Sequence, residues 1–458
     1  MKKHYQLAVV GSGSGGREAA FAAAQNGLKV LLIEKDTLGG TCLHRGCYPI
    51  KALRACAEAT TDTYLSAKFG IEIAGADTGF EKWLAIQRRV SARLTQELKN
   101  QLERGGVEIR FATASFIQAK ELCLKMRHDE TESIEADYFI LATGSRPAFD
   151  GVGSYYVNSD QLLTHAWVPR HLLIVGGGYI GCEFAAIFRS LGFRVTLVEK
   201  RKYLLADWEQ SLGDYIAANL RAAGVEVHLE HELDLPHPNE TNSQPVLFLD
   251  SKTQIKPDLV LVATGRKPNV EGLGLDGLGI EAKPFVAVDD QLRTTSPQVF
   301  AVGDVNGLSL LDSAAVTQAR IAVHAILGKK EVFSARWIPK CLHTDPAIGS
   351  VGWNEDEAGK AGLDAISHSQ TFRLVTEDER TVVTPLPTMV KMLIQAETRQ
   401  ILGVHVVGAQ AAEIVNLASL AIRAQFTIDQ LLQVPLVHPS ATEVFQRCAE
   451  GLRRVEVG

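Results

Sequence analysis

Two stretches of this chain repeat one pattern: an apolar run, a glycine-rich turn, an apolar helix and a second apolar run that ends in an acid. In the first copy the turn begins at Gly11 and the acid is Glu34. In the second copy the turn begins at Gly176 and the acid is Glu199, and both spacings are 23 positions. A repeat of this length is not a chance motif match. It predicts two β-α-β units of the same kind in an α/β chain.

Each residue type in this pattern has a physical task at a dinucleotide site. Glycines allow the tight turn, the approach of a pyrophosphate to the backbone and close packing of helix on strand. Free N–H groups at the start of the helix favour the anion, and the acid can accept hydrogen bonds from a ribose. The predicted nucleotide contacts are Gly11, Gly13, Gly16 and Glu34 in the first copy and Gly176, Gly178, Tyr179, Ile180 and Glu199 in the second.

Two cysteines, Cys42 and Cys47, stand behind a glycine pair and ahead of an Ala-rich stretch. Five residues of ideal α-helix rise about 7.5 Å, whereas the Cα atoms of a disulfide lie at most about 7 Å apart. A bond between these cysteines therefore needs a bent or tightened turn, and a strained, accessible disulfide is of the labile, catalytic kind. The spacing alone fits two buried thiols in an ordinary helix equally well.

Charge and composition restrict the partners and the compartment. The net charge of −6 argues against nucleic acid and anionic membranes. No apolar run reaches the length of a bilayer span. Seven scattered cysteines do not form a secreted disulfide framework, so we expect a reducing cytoplasm. Cys341 and His343 are a lone pair without two further ligands at zinc spacing, so the sequence predicts no metal site.

Further motifs follow in order along the chain. Two later apolar strands end in similar short sequence motifs, at residues 142–147 and 263–268. A third apolar strand ends in Gly303-Asp304. After about residue 335 a mixed pattern without a nucleotide signal favours an oligomerisation domain. There His438 precedes a proline, which alone is more often structural than catalytic. Glu443 lies close enough after a turn to orient the imidazole and favour its protonated form.

Taken together, these motifs resemble those of the pyridine nucleotide–disulfide oxidoreductases over essentially the full length, and most of all those of the dihydrolipoamide dehydrogenases. The resemblance implies two Rossmann-like dinucleotide-binding domains, for FAD and for NAD, and a C-terminal α+β dimerisation domain. The expected divisions are an FAD-binding domain over 1–147, an NAD-binding domain over 148–268, a central segment completing the FAD site over 269–334, and a dimerisation domain over 335–458.

The resemblance also implies roles for particular residues. The implied catalytic residues are Cys42, Cys47, Lys51, Glu183, His438 and Glu443. The further implied FAD contacts are Lys35, Gly40, Thr41, Lys51, Thr143, Gly144, Asp304 and Asp312, and Gly265 joins the NAD contacts. Lys51 would lie near the flavin and pair with Glu183, because a buried lysine and a buried glutamate each need the other.

The implied enzyme is a homodimer in which His438 serves the disulfide of the other subunit. A reduced dithiol on a lipoyl-carrying protein would attack Cys42, with His438 as general base and Glu443 orienting it. Cys47 would then remain as a thiolate against the flavin, and electrons would pass through FAD to NAD+. The reaction is reversible, so the physiological direction stays open, as does the identity of the lipoyl partner.

Several positions depart from the family pattern: His44, Arg45, Tyr48, Ile50 and Leu436. Arg45 could lower the pKa of a neighbouring thiol or be a solvated charge. Asp312 stands where a small or neutral residue is more usual, and a role as helix N-cap explains it sufficiently. Arg201, two residues after Glu199, could bind a phosphate, so NAD is favoured over NADP without being fixed.

Two alternatives remain beside this hypothesis. One is a related NAD(P)H-dependent reductase of another disulfide, and the other is a low-turnover flavoprotein subunit of an assembly. The intact set of Cys42, Cys47, His438 and Glu443 argues against the second. Soluble transhydrogenases of the family typically lack one of the two cysteines, whereas both are present here.

Overall fold

The structure is a computed structural model that describes residues 2–66, 79–164, 169–235, 245–249, 253–372, 388–438 and 440–455. The strands are β1 Lys3–Val10, β2 Val30–Glu34, β3 Glu108–Gln118, β4 Glu121–Met126, β5 Thr131–Leu141, β6 Ser145–Pro147, β7 Tyr156–Val157, β8 His171–Val175, β9 Arg194–Glu199, β10 Glu226–Leu229, β11 Leu247–Phe248, β12 Gln254–Ile255, β13 Leu259–Val262, β14 Arg266–Pro268, β15 Val299–Ala301, β16 Lys340–Leu342, β17 Ile348–Gly352, β18 Ala365–Phe372, β19 Thr388–Gln395 and β20 Ile401–Val407. The α-helices are α1 Ser14–Gln25, α2 Gly40–His44, α3 Cys47–Ser66, α4 Phe80–Arg104, α5 Ser159–Leu162, α6 Tyr179–Ser190, α7 Gln210–Ala222, α8 Asp312–Ile326, α9 Glu355–Lys360, α10 Ala411–Arg423, α11 Ile428–Leu432 and α12 Glu443–Val455.

The first sheet is built around β1, which pairs in parallel with both β2 and β5. β3 joins β2 and β15 joins β5, again in parallel, while β4 runs antiparallel between the long strands β3 and β5. Every residue of β2 is buried, as expected for a strand covered on both faces. The loops after these parallel strands therefore meet at one edge of the sheet, where ligands of such folds bind.

The second sheet repeats this arrangement with β8 at its centre. β8 pairs in parallel with β9 and β13, β10 lies outside β9, and β7 lies outside β13. The two similar motifs at residues 142–147 and 263–268 pair with each other, because β6 and β14 form a two-stranded antiparallel ribbon. This ribbon joins the carboxyl edges of the two parallel sheets, so both glycine turns face one region.

The third sheet is antiparallel, in the order β16-β17-β20-β19-β18. α10 packs on β17 and β20, and α12 packs on β18 and β19. A core of apolar residues, including Val404, Ile414 and Phe445, fills the space between this sheet and its helices. The predicted fold class is confirmed: two Rossmann-like units are followed by an α+β unit.

Candidate active site

One cavity of about 1670 Å³ brings together most of the residues that the sequence singled out. The predicted residues in its wall are Gly13, Thr41, Cys42, Cys47, Lys51, Gly144, Asp304 and Asp312 from the first unit and its extension, and Gly176, Gly178, Tyr179, Ile180, Glu183, Glu199 and Gly265 from the second. Gly11, Gly16, Glu34, Lys35, Gly40, Thr143, His438 and Glu443 do not line it. Both glycine turns therefore open into the space that the two cysteines also reach.

The two glycine turns have matching geometry. Gly11 and Gly176 have φ of +100° and +111°, and a Cβ on either would lie 2.4 or 2.5 Å from the carbonyl oxygen that follows the neighbouring strand. A side chain at Gly16 would meet the carbonyl oxygen of Gly11 at 1.8 Å. Nothing lies within 4 Å of a Cβ placed on Gly13 or Gly178. Each of these glycines directly precedes a helix that has no side-chain N-cap. Uncapped N–H groups beside open space suit a pyrophosphate in both turns.

Glu34 is buried behind the first turn and holds it in place. Its carboxylate accepts hydrogen bonds from the backbone N–H of Ser12 at 3.0 Å, from the Ser12 hydroxyl at 2.6 Å and from the N–H of Asp36 at 2.9 Å. The Ser12 hydroxyl in turn accepts from the N–H of Gly39 at 3.1 Å. The turn is thus fastened to the segment that carries the cysteines, whereas Lys35 is exposed.

The cysteine segment is bent between two helices. Cys42 lies in α2, which ends at His44, and Cys47 is the first residue of α3. The break at Arg45 and Gly46 brings the two sulfurs within 4.8 Å of each other, so the bent turn that the spacing required is present. Both cysteines are free thiols in this structure, Cys42 half-buried and Cys47 exposed.

A third group, the carboxylate of Asp312, lies within 4.8 Å of both sulfurs. The sequence interpretation of Asp312 as an N-cap is wrong, because Leu311 occupies that position and Asp312 is the first residue inside α8. Its carboxylate turns toward the cavity, where it accepts a hydrogen bond from the Ser14 hydroxyl and lies 3.9 Å from a guanidinium nitrogen of Arg17.

The two thiols differ in acidity. Interaction with the neighbouring Cys47, burial and the Asp312 carboxylate all raise the pKa of Cys42. The pKa of Cys47 is lowered, chiefly by hydrogen bonding with Cys42 and against burial and the Asp312 charge. The start of a helix also favours a thiolate at Cys47. In a reduced pair with one proton, the negative charge therefore resides on Cys47.

Glu183 lies close to Cys47 but not in the pairing that the sequence predicted. The structure describes both residues and shows no ion pair between Glu183 and Lys51. Glu183 instead accepts a hydrogen bond from the backbone N–H of His343 at 3.1 Å. Lys51 is exposed. Burial raises the pKa of Glu183 to about 7, and the charge of Arg54 opposes this shift more than that of Lys51 does. Sequence reasoning missed both neighbours, and considered His343 only as a metal ligand.

Asp304 also lies in the cavity wall, in contact with the two-stranded ribbon. The Ser145 hydroxyl donates to its carboxylate, and the Arg266 guanidinium donates to that hydroxyl at 2.7 Å. Burial raises the pKa of Asp304, while Ser145 and Arg266 oppose the shift. Thr143 is occupied elsewhere, since its hydroxyl donates to the carbonyl of Asn269 at 2.7 Å.

Glu199 is fixed at the second turn as Glu34 is at the first. Its carboxylate accepts from the N–H of Gly177 at 2.5 Å and from the N–H of Arg201 at 2.8 Å. The guanidinium of Arg201 donates to Asp207 at 3.1 Å. An acid is therefore fixed beside the second glycine turn, and the nearby arginine has an acidic neighbour of its own.

His438 and Glu443 form a pair on the third unit. The Nδ1 atom of His438 lies 3.1 and 3.2 Å from the two carboxylate oxygens of Glu443. The N–H of Ser440 donates to the same carboxylate at 2.8 Å, and these contacts lower the pKa of Glu443. The His438 side chain is 79% exposed, and Leu436, two residues earlier, is half-buried. Pro439 lies outside the described residues.

Four departures from the family pattern surround the cysteines. His44 is bound structurally, with Nε2 2.8 Å from a backbone carbonyl oxygen. Arg45 is 3.8 Å from the carboxylate of Asp160 and lines the cavity. Tyr48 is exposed, whereas Ile50 packs against the core of the second unit.

Across the described ranges, no helix is long and apolar enough to cross a membrane.

Comparison with known proteins agrees with this geometry. Residues 5–325 match the pyridine nucleotide-disulphide oxidoreductase family, and residues 338–449 match its dimerisation domain. Dihydrolipoyl dehydrogenase of Chlorobaculum tepidum is 31% identical over 97% of this chain and 96% of its own. A soluble pyridine nucleotide transhydrogenase of Photorhabdus laumondii is 30% identical over 99% of both chains.

A solved structure extends the likeness to the fold. The Cu(II) complex of the HOCl-induced flavoprotein disulfide reductase RclA from Escherichia coli aligns with a TM-score of 0.84 and 25% identity, over 99% of this chain and 100% of the other. Relatives of more than one activity therefore share this architecture. The chain belongs to the pyridine nucleotide-disulphide oxidoreductase family, as a flavoenzyme of the dihydrolipoyl dehydrogenase type that uses FAD and NAD(P).

Proposed function

We propose that this chain is a dihydrolipoamide:NAD+ oxidoreductase that oxidises the dithiol of a lipoyl-carrying protein in the cytoplasm. The observation that carries the proposal is the place of Cys42 and Cys47, whose sulfurs lie within 4.8 Å in the wall that both glycine turns share. A thiol pair at such a junction can exchange with a substrate dithiol on one side and serve a nucleotide cofactor on the other. The four segments predicted from the sequence are proposed as its domains.

The residues present fit both cofactors. Gly13 and Gly144 leave open space where a side chain would stand, and Asp304 offers a carboxylate in the same wall, which suits the pyrophosphate and polyol chain of FAD. Gly178 and Gly265 leave similar space at the second turn, where Glu199 suits the free 2′-hydroxyl of NAD. Bound FAD supplies a two-electron carrier between a dithiol and a nicotinamide.

The chain's own groups account for the thiol chemistry. One substrate thiolate attacks the Cys42 sulfur of the Cys42–Cys47 disulfide; a substrate–Cys42 bond forms, and Cys47 leaves as a thiolate. The second substrate thiolate then attacks the substrate sulfur of that mixed disulfide, which closes the lipoyl disulfide and releases Cys42. The protons leave through the partner subunit's His438, held by the partner subunit's Glu443. The substrate dithiol is oxidised and the cysteine pair reduced by two electrons.

Exposure of His438 supports the proposed subunit arrangement. Its side chain is largely solvent-exposed and does not line the cavity that contains Cys42. Among the described residues, His438 is hydrogen-bonded to Glu443 of its own chain, and a base so placed can reach the disulfide of a second copy that covers it. The match of residues 338–449 to a dimerisation domain agrees with a homodimer.

Anaerobic reduction of the FAD-loaded dimer with dihydrolipoamide tests the proposal. We expect a long-wavelength absorption band from a Cys47 thiolate beside oxidised flavin, and NADH when NAD+ is added. Cys47→Ser abolishes both signals, whereas the control Cys56→Ser keeps them, because Cys56 is a half-buried thiol outside the cavity. An unchanged spectrum with dihydrolipoamide would contradict the lipoyl assignment.

The second candidate is an NAD(P)H-dependent reductase of another disulfide. The cation of Arg45 in the cavity wall and the exposed ring of Tyr48 favour it, since both alter the surroundings of the cysteines. In the same experiment this candidate predicts no response to dihydrolipoamide but full reduction by NADH or NADPH. Disulfide compounds are then added one at a time to the reduced enzyme. The compound that restores the starting spectrum identifies the substrate class.

A further inference from the structure

A carboxylate beside a pair of redox thiols disfavours the negatively charged thiolate form on which their chemistry depends. Asp312 is such a group, because its carboxylate lies within 4.8 Å of the sulfurs of both Cys42 and Cys47. It reaches them from α8, a different element from the one that carries the cysteines. Its N-terminal position does not cap the helix, so the side chain is available to the cavity.

Contacts from α1 hold this carboxylate toward the cavity. The Ser14 hydroxyl donates a hydrogen bond to Oδ1 of Asp312, and a guanidinium nitrogen of Arg17 lies 3.9 Å from the same atom. Asp312 also stands at the positive end of the α8 dipole, which would otherwise favour a nearby thiolate. The negative charge of the carboxylate therefore offsets the positive end of the α8 dipole near the two sulfurs.

The two sulfurs differ in their relation to this charge. Cys47 has the start of its own helix, α3, to stabilise a thiolate, whereas Cys42 lies inside the short helix α2. Hydrogen bonding and charge repulsion from Asp312 both favour the protonated form of Cys42, but repulsion alone acts on Cys47. Other charged or titratable groups in the same cavity wall are Arg45 between α2 and α3, Lys51 and Arg54 of α3, Tyr179 and Glu183 of α6, Asp304 after β15, and His343 after β16. Arg17 of α1 contacts Asp312 but does not line the cavity.

We propose that Asp312 is a positioning residue for the proton of the reduced centre, keeping it on Cys42 and the negative charge on Cys47. Cys42 can attack a disulfide only after losing this proton, so Asp312 restrains the reducing direction until an external base takes the proton. The inference rests on the redox role proposed for the two cysteines, but not on the lipoyl substrate.

Alkylation of the reduced, FAD-loaded dimer by iodoacetamide measures this proton directly. A phosphine reduces the pair, and peptide mass spectrometry follows the labelling of Cys42 as a function of pH. Asp312→Asn is expected to label Cys42 about tenfold faster at neutral pH, with the half-maximal rate about one pH unit lower. The matched control Asp214→Asn removes the same charge from an exposed site on α7 and should leave the profile unchanged.

A second variant gives the opposite sign and does not depend on replacing Asp312. Arg17→Gln removes the cation beside the carboxylate, so Cys42 should label about two- to threefold more slowly at neutral pH. Absorbance of bound FAD shows that each variant is folded and loaded. If Asp312→Asn does not load FAD, the Arg17→Gln profile decides the question. Profiles equal to that of Asp214→Asn overturn the proposal, whereas failure of dihydrolipoamide to reduce the pair affects only the proposed substrate.

Discussion

The hydroxyl of Ser12 accepts a hydrogen bond from the backbone N–H of Gly39 at 3.1 Å. This contact joins the first glycine turn to the loop just before the cysteine helices. The same hydroxyl donates to Glu34 at 2.6 Å, so three parts of the chain share one buried polar group. The first glycine turn and the segment that carries the cysteines are thereby held in a fixed relation to each other.

Glu183 should make stability depend on pH. Burial raises its pKa to about 7 from an ordinary value of 4.5. Between these values the folded chain holds a proton that the unfolded chain has lost, so the free energy of unfolding falls as pH rises. Relative to Glu183→Gln, the wild type should lose about 3 kcal/mol across this window. Denaturant unfolding of both proteins at pH 5 and pH 8 measures the difference, with exposed Glu281→Gln as the control; a constant difference contradicts it.

Glu443 should support turnover by holding His438 in place. Glu443→Gln replaces a carboxylate 3.1 Å from Nδ1 with a neutral amide, which no longer anchors the imidazole through a charge-assisted hydrogen bond. We expect turnover to fall about ten- to a hundredfold. Arg447→Gln, 3.5 Å from the same carboxylate, is the matched control and should retain turnover. Unchanged turnover in Glu443→Gln would show that this pair does not act in catalysis.

Glu199 should favour NAD+ over NADP+. Its carboxylate is fixed by the N–H groups of Gly177 and Arg201 and would repel a 2′-phosphate. Glu199→Gln keeps an acceptor but removes the charge, so the NADP+/NAD+ ratio of kcat/KM should rise at least about tenfold. Asp207→Asn should raise it less, by releasing Arg201. A ratio that stays constant in both variants would leave specificity to other residues.

Lys391 should be important for the attachment of the third unit to the second. Its Nζ lies 2.8 Å from Glu209 of the second unit and 2.6 Å from Glu355. Lys391 is 8% and Glu209 4% exposed, so Lys391→Met would leave a buried carboxylate without its counter-charge. We expect a loss of about 3–5 kcal/mol in the free energy of unfolding. Lys360→Met, which breaks the exposed pair with Asp356, should have almost no effect, and similar losses in the two variants would refute the assignment.

The sequence predicted the features that depend on local spacing. The turns at Gly11 and Gly176 follow from glycine positions, and the bend between Cys42 and Cys47 follows from the rise of a helix. These features depend on residues within one β-α-β unit or one short segment. They are the features for which pattern and geometry suffice.

The structure was needed for contacts between distant segments. Whether Asp312 or Leu311 caps α8 is a difference of one residue, which a pattern does not resolve. The approach of Asp312 to the cysteines depends on how α8 packs against α1, and this is tertiary information. In the same way, the backbone N–H of His343, 160 positions after Glu183, donates a hydrogen bond to Glu183, for which the sequence interpretation named Lys51 as the partner.

Dihydrolipoamide should deliver its electrons to Cys42 and Cys47, and differential alkylation tests this transfer most directly. The isolated dimer is blocked with one alkylating reagent, treated anaerobically with one equivalent of dihydrolipoamide per subunit, and labelled with a second, isotopically distinct reagent. We predict that the second label appears on Cys42 and Cys47 and on none of the other five of the seven cysteines. Complete blocking of Cys42 and Cys47 in the first step, or a second label absent from both, would contradict the account.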